Sequence, residues 1–117
     1  MTAEEILLAL VVARVDVVSQ AGNLRFRAPM GVLTDELRAR IAEHRPALMA
    51  LVQRGAVLPW RVVDWPEDAR GSYEERAAIR EFDGGATRED AERDAERDVR
   101  VDHARRSLGR GASGGPS

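Results

Sequence analysis

The apolar residues of this chain are crowded into its first half, while the second half is dense in arginines and acids. In a chain of 117 residues that distribution leaves material for one hydrophobic core of domain size, with extensions attached to it. Up to Gly55 seven arginines face six acids (+1), and from Ala56 onward eleven face fourteen (−3). Neither half has the positive excess of a sequence-independent nucleic-acid binder, which argues against nucleic acid as a partner. Every basic residue is Arg and none is Lys, a skew that a GC-rich coding bias explains without any binding chemistry. Cysteine is absent, which removes disulfides, thiolate metal sites and cysteine nucleophiles and points to a reducing cytoplasm. The longest apolar run, Ile6 to Ala13, is far short of the roughly 20 residues of a membrane helix. Glu4 and Glu5 stand where a secretion signal would be basic, so neither export nor a membrane partner is expected.

Thr2 and Glu5 have the spacing of a capping box, which predicts a first helix over about Ala3 to Val12 or Ala13. Ile6, Leu7, Leu10 and Val11 form its apolar stripe, and Leu8 and Val12 widen that stripe beyond what a singly buried helix needs. The surplus suits either a deep position in a small core or self-association. Val15 to Ser19 is rich in β-branched residues, and Leu24 to Ala28 alternates apolar with charged, so both read as strands. Gln20-Ala21-Gly22-Asn23 between them supplies the residues of a tight hairpin turn. Alternation puts Leu24, Phe26 and Ala28 on one face and Arg25 with Arg27 on the other. A two-stranded sheet leaves at least one edge of unpaired N–H and C=O groups, open to a partner strand.

Thr34-Asp35-Glu36 reads as an N-cap with first-turn acids, opening a helix over about Asp35 to His44 whose inward residues are Leu37 and Ile41. Pro46 suits the first turn of a third helix to Gln53, with Leu48, Leu51 and Val52 inward and Gly55 as its C-terminal stop. The chain then changes character. Residues 56–71, with Pro59, Pro66, Trp60 and Trp65, read as a linker whose tryptophans either anchor a partner or, the favoured reading, fold back on the protein's own apolar surface. Ser72 and Glu75 form a second possible capping box, for a helix over about Tyr73 to Phe82, and Asp83-Gly84-Gly85 breaks it. Thr87 then caps a charged helix over about Arg88 to Ser107, with Ala91, Ala95 and Val99 as its chief apolar positions. That stripe buries little, so fraying is expected there, and Gly109 to Ser117 reads as a disordered tail. The expected organisation is thus 1–55 as the folded domain, 56–71 as linker, 72–108 as a charged helical hairpin and 109–117 as tail.

No catalytic, cofactor-binding or metal-binding residues are expected. His44 sits near a helix end, where the dipole favours a surface imidazole, and His103 lies in a charged helix with Asp102 beside it only in sequence. Asp90, Glu92, Asp94, Glu96 and Asp98 alternate with arginines, the pattern of a solvated helix face rather than of a cation loop. Asp83-Gly84-Gly85 lacks the Lys and Ser/Thr of a phosphate loop.

The run from Leu24 to Leu37, Leu-Arg-Phe-Arg-Ala-Pro-Met-Gly-Val-Leu-Thr-Asp-Glu-Leu, resembles the N-terminal docking domain of the TubC type, found at the start of nonribosomal peptide synthetase and hybrid polyketide synthase subunits. The resemblance covers about residues 3–54. It implies an α+β domain of αββαα order that forms a homodimer, is not an enzyme, and captures the short, often acidic C-terminal peptide of an upstream subunit. Carried onto this sequence, Leu24, Arg25, Phe26 and Arg27 would form the strand on which that peptide lies. The segment Glu75 to Gly85, with Arg88 and Ala91-Glu92 beyond it, is similar to a helix-turn-helix-like tail of phage and mobile-element proteins. That likeness implies an alternative, an accessory protein of a mobile element that uses the same fold for a protein or nucleic-acid partner.

Overall fold

In the computed structural model, which describes residues 2–112 and only the backbone at 110–112, the element order is α1 (Ala3–Val12), β1 (Asp16–Gln20), β2 (Asn23–Arg27), α2 (Asp35–Glu43), α3 (Arg45–Gln53), a 3-10 turn (Val62–Asp64), α4 (Glu67–Phe82) and α5 (Arg88–Ala112). This is the expected α+β fold, an αββαα unit followed by helices. The tail expected from Gly109 overlaps the last turn of α5, and its residues 113–117 lie outside the described ones.

The first unit is built by local rules. Thr2 accepts the Glu5 N–H and Glu5 returns to the Thr2 N–H, so the capping box opens α1 as its spacing predicts. The helix stops in a Schellman geometry, in which Arg14 N–H reaches Val11 O and Val15 N–H reaches Leu10 O. That stop needs a left-handed residue, and Arg14 supplies it at φ 69° although glycine would do so without strain. α3 ends in the same way with a glycine, Gly55 at φ 86°. The hairpin turn is Ala21-Gly22, both left-handed at φ 53° and 79°, the geometry of a type I′ turn. Asn23, expected within the turn, is the first residue of β2.

One core gathers Ile6, Leu7, Leu10 and Val11 of α1, Val15, Val17, Leu24 and Ile41, and Leu48, Leu51 and Val52 of α3. At roughly 1.5–3 kcal/mol for each fully buried large side chain, these residues dominate its stability. Ala104 and Leu108 of α5 are buried in the same core, so the charged second half is not a separate appendage. A second, smaller cluster joins Leu58, Trp65 and Val99, with Tyr73 edge-on to Trp65 at 5.9 Å between ring centroids. Trp65 is buried and its indole N–H donates to Pro59 O at 2.8 Å, so this tryptophan packs inward as anticipated.

Two sequence expectations are corrected. The helix expected from Tyr73 starts at Glu67, directly after Pro66, with Glu67 and Asp68 in its first turn. Ser72 therefore lies inside α4 and caps nothing, and the linker is a short irregular stretch carrying one 3-10 turn. The weak packing expected of α5 fails because Ala91, Ala95, Ala104, Val99 and Leu108 are all buried, between α4 on one side and α1 on the other. Each alanine contributes only about 0.8 kcal/mol of transfer energy per buried methyl, but small side chains let three backbones approach. Ion pairs from Arg76 to Asp102 at 2.6 Å and from Arg80 to Asp98, one helical turn apart, tie α4 to α5.

The two halves meet at Asp16, which is 7 % exposed at the start of β1. Its carboxylate accepts from Arg97 of α5 at 3.0 Å and from Arg27 of β2 at 3.0 Å, and lies 3.6 Å from Arg100 of α5. Arg97 also donates to Val11 O at 2.9 Å, and Arg100 donates to Trp60 O at 2.8 Å while lying 5.1 Å from the Trp65 ring. His103 adds a bond to Gly55 O at 2.8 Å, which places its proton on Nε2, since a carbonyl oxygen only accepts.

Removing this carboxylate would leave guanidinium groups buried with too few acceptors. Asp16→Ala is expected to lower unfolding stability by about 3 kcal/mol in urea titration, and a loss below about 1 kcal/mol would contradict the role given to it. Tyr73 gives a second test, because it is the one tyrosine of the chain. Burial, then the hydrogen bond it donates to the Glu92 carboxylate at 3.1 Å, pushes its phenol from 10.0 up to about 12. A raised folded value means stabilisation present below pH 10 that is lost as pH rises toward 12. Phenolate absorbance of the folded protein should therefore titrate near pH 12 and shift down in Glu92→Gln, whereas a midpoint near 10 would be the value of a free phenol.

Candidate partner-binding groove

β1 and β2 pair antiparallel with Gln20 opposite Asn23, Val18 opposite Arg25 and Asp16 opposite Arg27. In a two-residue hairpin the pair flanking the turn exchanges both backbone hydrogen bonds, and exchange then recurs at every second pair. Asn23, Arg25 and Arg27 therefore spend their N–H and C=O groups on β1. Leu24 and Phe26 turn theirs away from it, and no turn, loop or cap bond among the described residues reaches them. The sheet has two strands, so this edge of β2 ends the ladder.

Beside that edge runs a groove of about 210 Å³ lined by Leu24 and Phe26 of β2, Leu33 before α2, Arg38, Ile41 and Ala42 of α2, and Arg45 at the start of α3. Thr34 fixes the helix that forms its far wall by accepting the Leu37 N–H at 3.2 Å. The floor is apolar: Leu24 and Ile41 are buried and Phe26 and Leu33 half-buried. Two guanidinium groups stand at the rim. Arg38 donates to Leu33 O and Arg45 to Asn23 Oδ1, each at 3.2 Å, and neither meets a carboxylate among the described residues. The arrangement combines unsatisfied strand donors and acceptors, an apolar trough and uncompensated positive charge.

Of the four residues assigned from sequence, Leu24 and Phe26 face this groove. Arg25 and Arg27 lie on the opposite face of the hairpin, as the alternation requires, but they differ from each other. The Arg25 side chain is exposed and, among the described residues, bonds only Gln20, at 3.2 Å. Arg27 is held by Asp16 and lies 5.3 Å from the Trp60 ring, so its charge is already met within the protein. The rim arginines were missed by sequence reading, although a signal existed. Arg38, Ile41, Ala42 and Arg45 follow one another at helical spacings of three, one and three, an apolar pair flanked by two cations on one face.

Two other hollows have different chemistry. One of about 280 Å³ between α4 and α5 is lined by Glu74, Glu81 and Glu92 with Arg88, and one of about 420 Å³ beside β1 is lined by Val18, Ser19, Val52, Gln53 and Val57 to Pro59 without a charge. Neither joins an open strand edge to unpaired cations. Among the described residues no three His, Cys, Asp or Glu side chains gather as a metal site, and no helix is long and apolar enough to cross a membrane.

Comparison with curated proteins and with solved structures yields no match. The family model of the TubC N-terminal docking domain matches residues 4–53, the α1 to α3 unit that builds the groove, so the docking-domain resemblance read from the sequence is borne out over that part of the chain.

Proposed function

We propose that this chain is a non-catalytic docking module that takes a short acidic C-terminal peptide of another protein as an added strand on the outer edge of β2. The observation that carries this reading is the coincidence of the free Leu24 and Phe26 backbone groups with an apolar groove rimmed by Arg38 and Arg45. An added strand gains affinity from main-chain hydrogen bonds and specificity from alternate side chains, because successive residues point to opposite faces. On the groove side the guest would place apolar residues over Phe26, Leu33 and Ile41. On the other face its acidic residues would lie beside Arg25, and a terminal carboxylate would meet Arg38 or Arg45 at the rim. Arg27 serves the host rather than the guest, since leaving Asp16 would uncover a buried carboxylate. Peptide synthetase subunits are the setting that the resemblance of Leu24 to Leu37 implies.

The test is a calorimetric titration of the intact chain with a ten-residue synthetic peptide of alternating glutamate and leucine ending in a free carboxylate. Binding in the micromolar range, weakened by salt and reduced about 30-fold in Arg38→Glu with Arg45→Glu, is expected, the two reversals together being worth about 2 kcal/mol. Equal affinity of that variant, or equal binding of a peptide with glutamine in place of glutamate, would contradict the proposal.

A further inference from the structure

The segment Glu75 to Gly85, which the β2 groove leaves unused, forms the second half of α4 and the turn that ends it. At roughly 100° per residue, Ser72, Tyr73, Arg76 and Arg80 fall on the side of α4 that meets α5, and Glu74, Glu75, Ala78, Ile79, Glu81 and Phe82 on the side away from it. The first set is half-buried and the second exposed. Ile79 and Phe82, 50 % and 83 % exposed, stand at the three-residue spacing that makes neighbours on a helix, with Ala78 one turn before Phe82. Next to this apolar strip lies the hollow of about 280 Å³ between α4 and α5, whose apolar lining is Tyr73, Ala77 and Ala78. Adjoining large apolar side chains left in water beside a hollow mark an interaction surface.

Charge decides what covers it. Glu67, Asp68, Glu74, Glu75 and Glu81 of α4 and Asp83 at its end are exposed, and none of them forms an ion pair among the described residues. Arg76 and Arg80 are turned inward onto Asp102 and Asp98, which leaves Arg70 as the one cation of α4 without a carboxylate among the described residues. Such a face repels a phosphate backbone and attracts Lys and Arg. The backbone of α4 is spent on its own helical hydrogen bonds, so nothing can add here as a strand. Recognition must run through side chains, as one amphipathic helix reads another along its rows of three and four.

We propose that the outer face of α4 is a second docking surface whose occupant is a basic amphipathic helix of another protein. Its aliphatic residues lie over Ile79, Phe82 and the hollow, and its Lys or Arg residues lie beside Glu74, Glu75 and Glu81. The proposal stands whether or not the β2 groove takes an acidic strand, since the two surfaces share no residue.

The test is a calorimetric titration of the intact chain with a leucine and lysine peptide of about five helical turns, its leucines spaced three and four apart on one face. One-to-one binding in the micromolar range that weakens with salt is expected. Ile79→Ser with Phe82→Ser keeps every charge and should weaken binding about 10-fold, as the loss of a central apolar anchor does. Glu74→Gln with Glu75→Gln and Glu81→Gln should weaken it and flatten its salt response. Absence of binding, equal affinity of the serine variant, or tighter binding of a short DNA duplex than of the peptide would overturn the proposal. Should the serine variant lose its helical signal, the glutamine variant decides, and an unchanged affinity and salt response there contradicts the surface.

Discussion

A carboxylate sealed from water must be surrounded by donors, and Asp16 finds its donors on elements far apart in the chain. Arg27 comes from the neighbouring strand and Arg97 and Arg100 from successive turns of α5. Ion pairs of this kind add little net stability over an apolar replacement, because both partners are desolvated, but they tolerate few alternative arrangements. The network therefore fixes how the second half sits on the first. It also draws in the segment between them, since Trp60 offers its carbonyl to Arg100 and its ring to Arg27.

From that constraint the division of labour among the arginines follows. Arg88, Arg93, Arg97, Arg100 and Arg106 of α5 are committed to acids or carbonyls within the fold, as are Arg76 and Arg80 of α4. Arg38 and Arg45 are the ones left over a groove with only neutral partners. A nearly neutral protein can in this way keep a locally positive trough, with its compensating acids placed elsewhere. Net charge gave no hint of this, because it sums over the whole surface whereas recognition depends on a patch within a Debye length, about 8 Å at physiological salt.

The docking unit was legible in the sequence because its signals are local. The Thr2 and Glu5 box, the Ala21-Gly22 turn, the period-two alternation of β2 and the Thr34 cap each specify their own element within a few residues. The second half was misread where local signals compete or are silent. Ser72 and Glu75 imitate a helix start inside α4, whose true start after Pro66 has no side-chain cap to announce it. The burial of α5 depends on faces of α1 and α4 far away in sequence, and alanines among charges resemble a solvated helix until those faces are in place. The pairing of Arg27 with Asp16 was equally hidden, since strand alternation predicts the face of a side chain but not its partner across the hairpin.

The central claim is that a guest strand completes the ladder at β2, and backbone amide hydrogen exchange with and without the alternating glutamate–leucine peptide addresses it residue by residue. In the free protein the amides of Arg25 and Arg27 should already exchange slowly, being bonded to β1, while those of Leu24 and Phe26 exchange fast. Saturating peptide should slow Leu24 and Phe26 selectively. If those two amides remain fast while the peptide is bound, the edge of β2 is not where the partner lies.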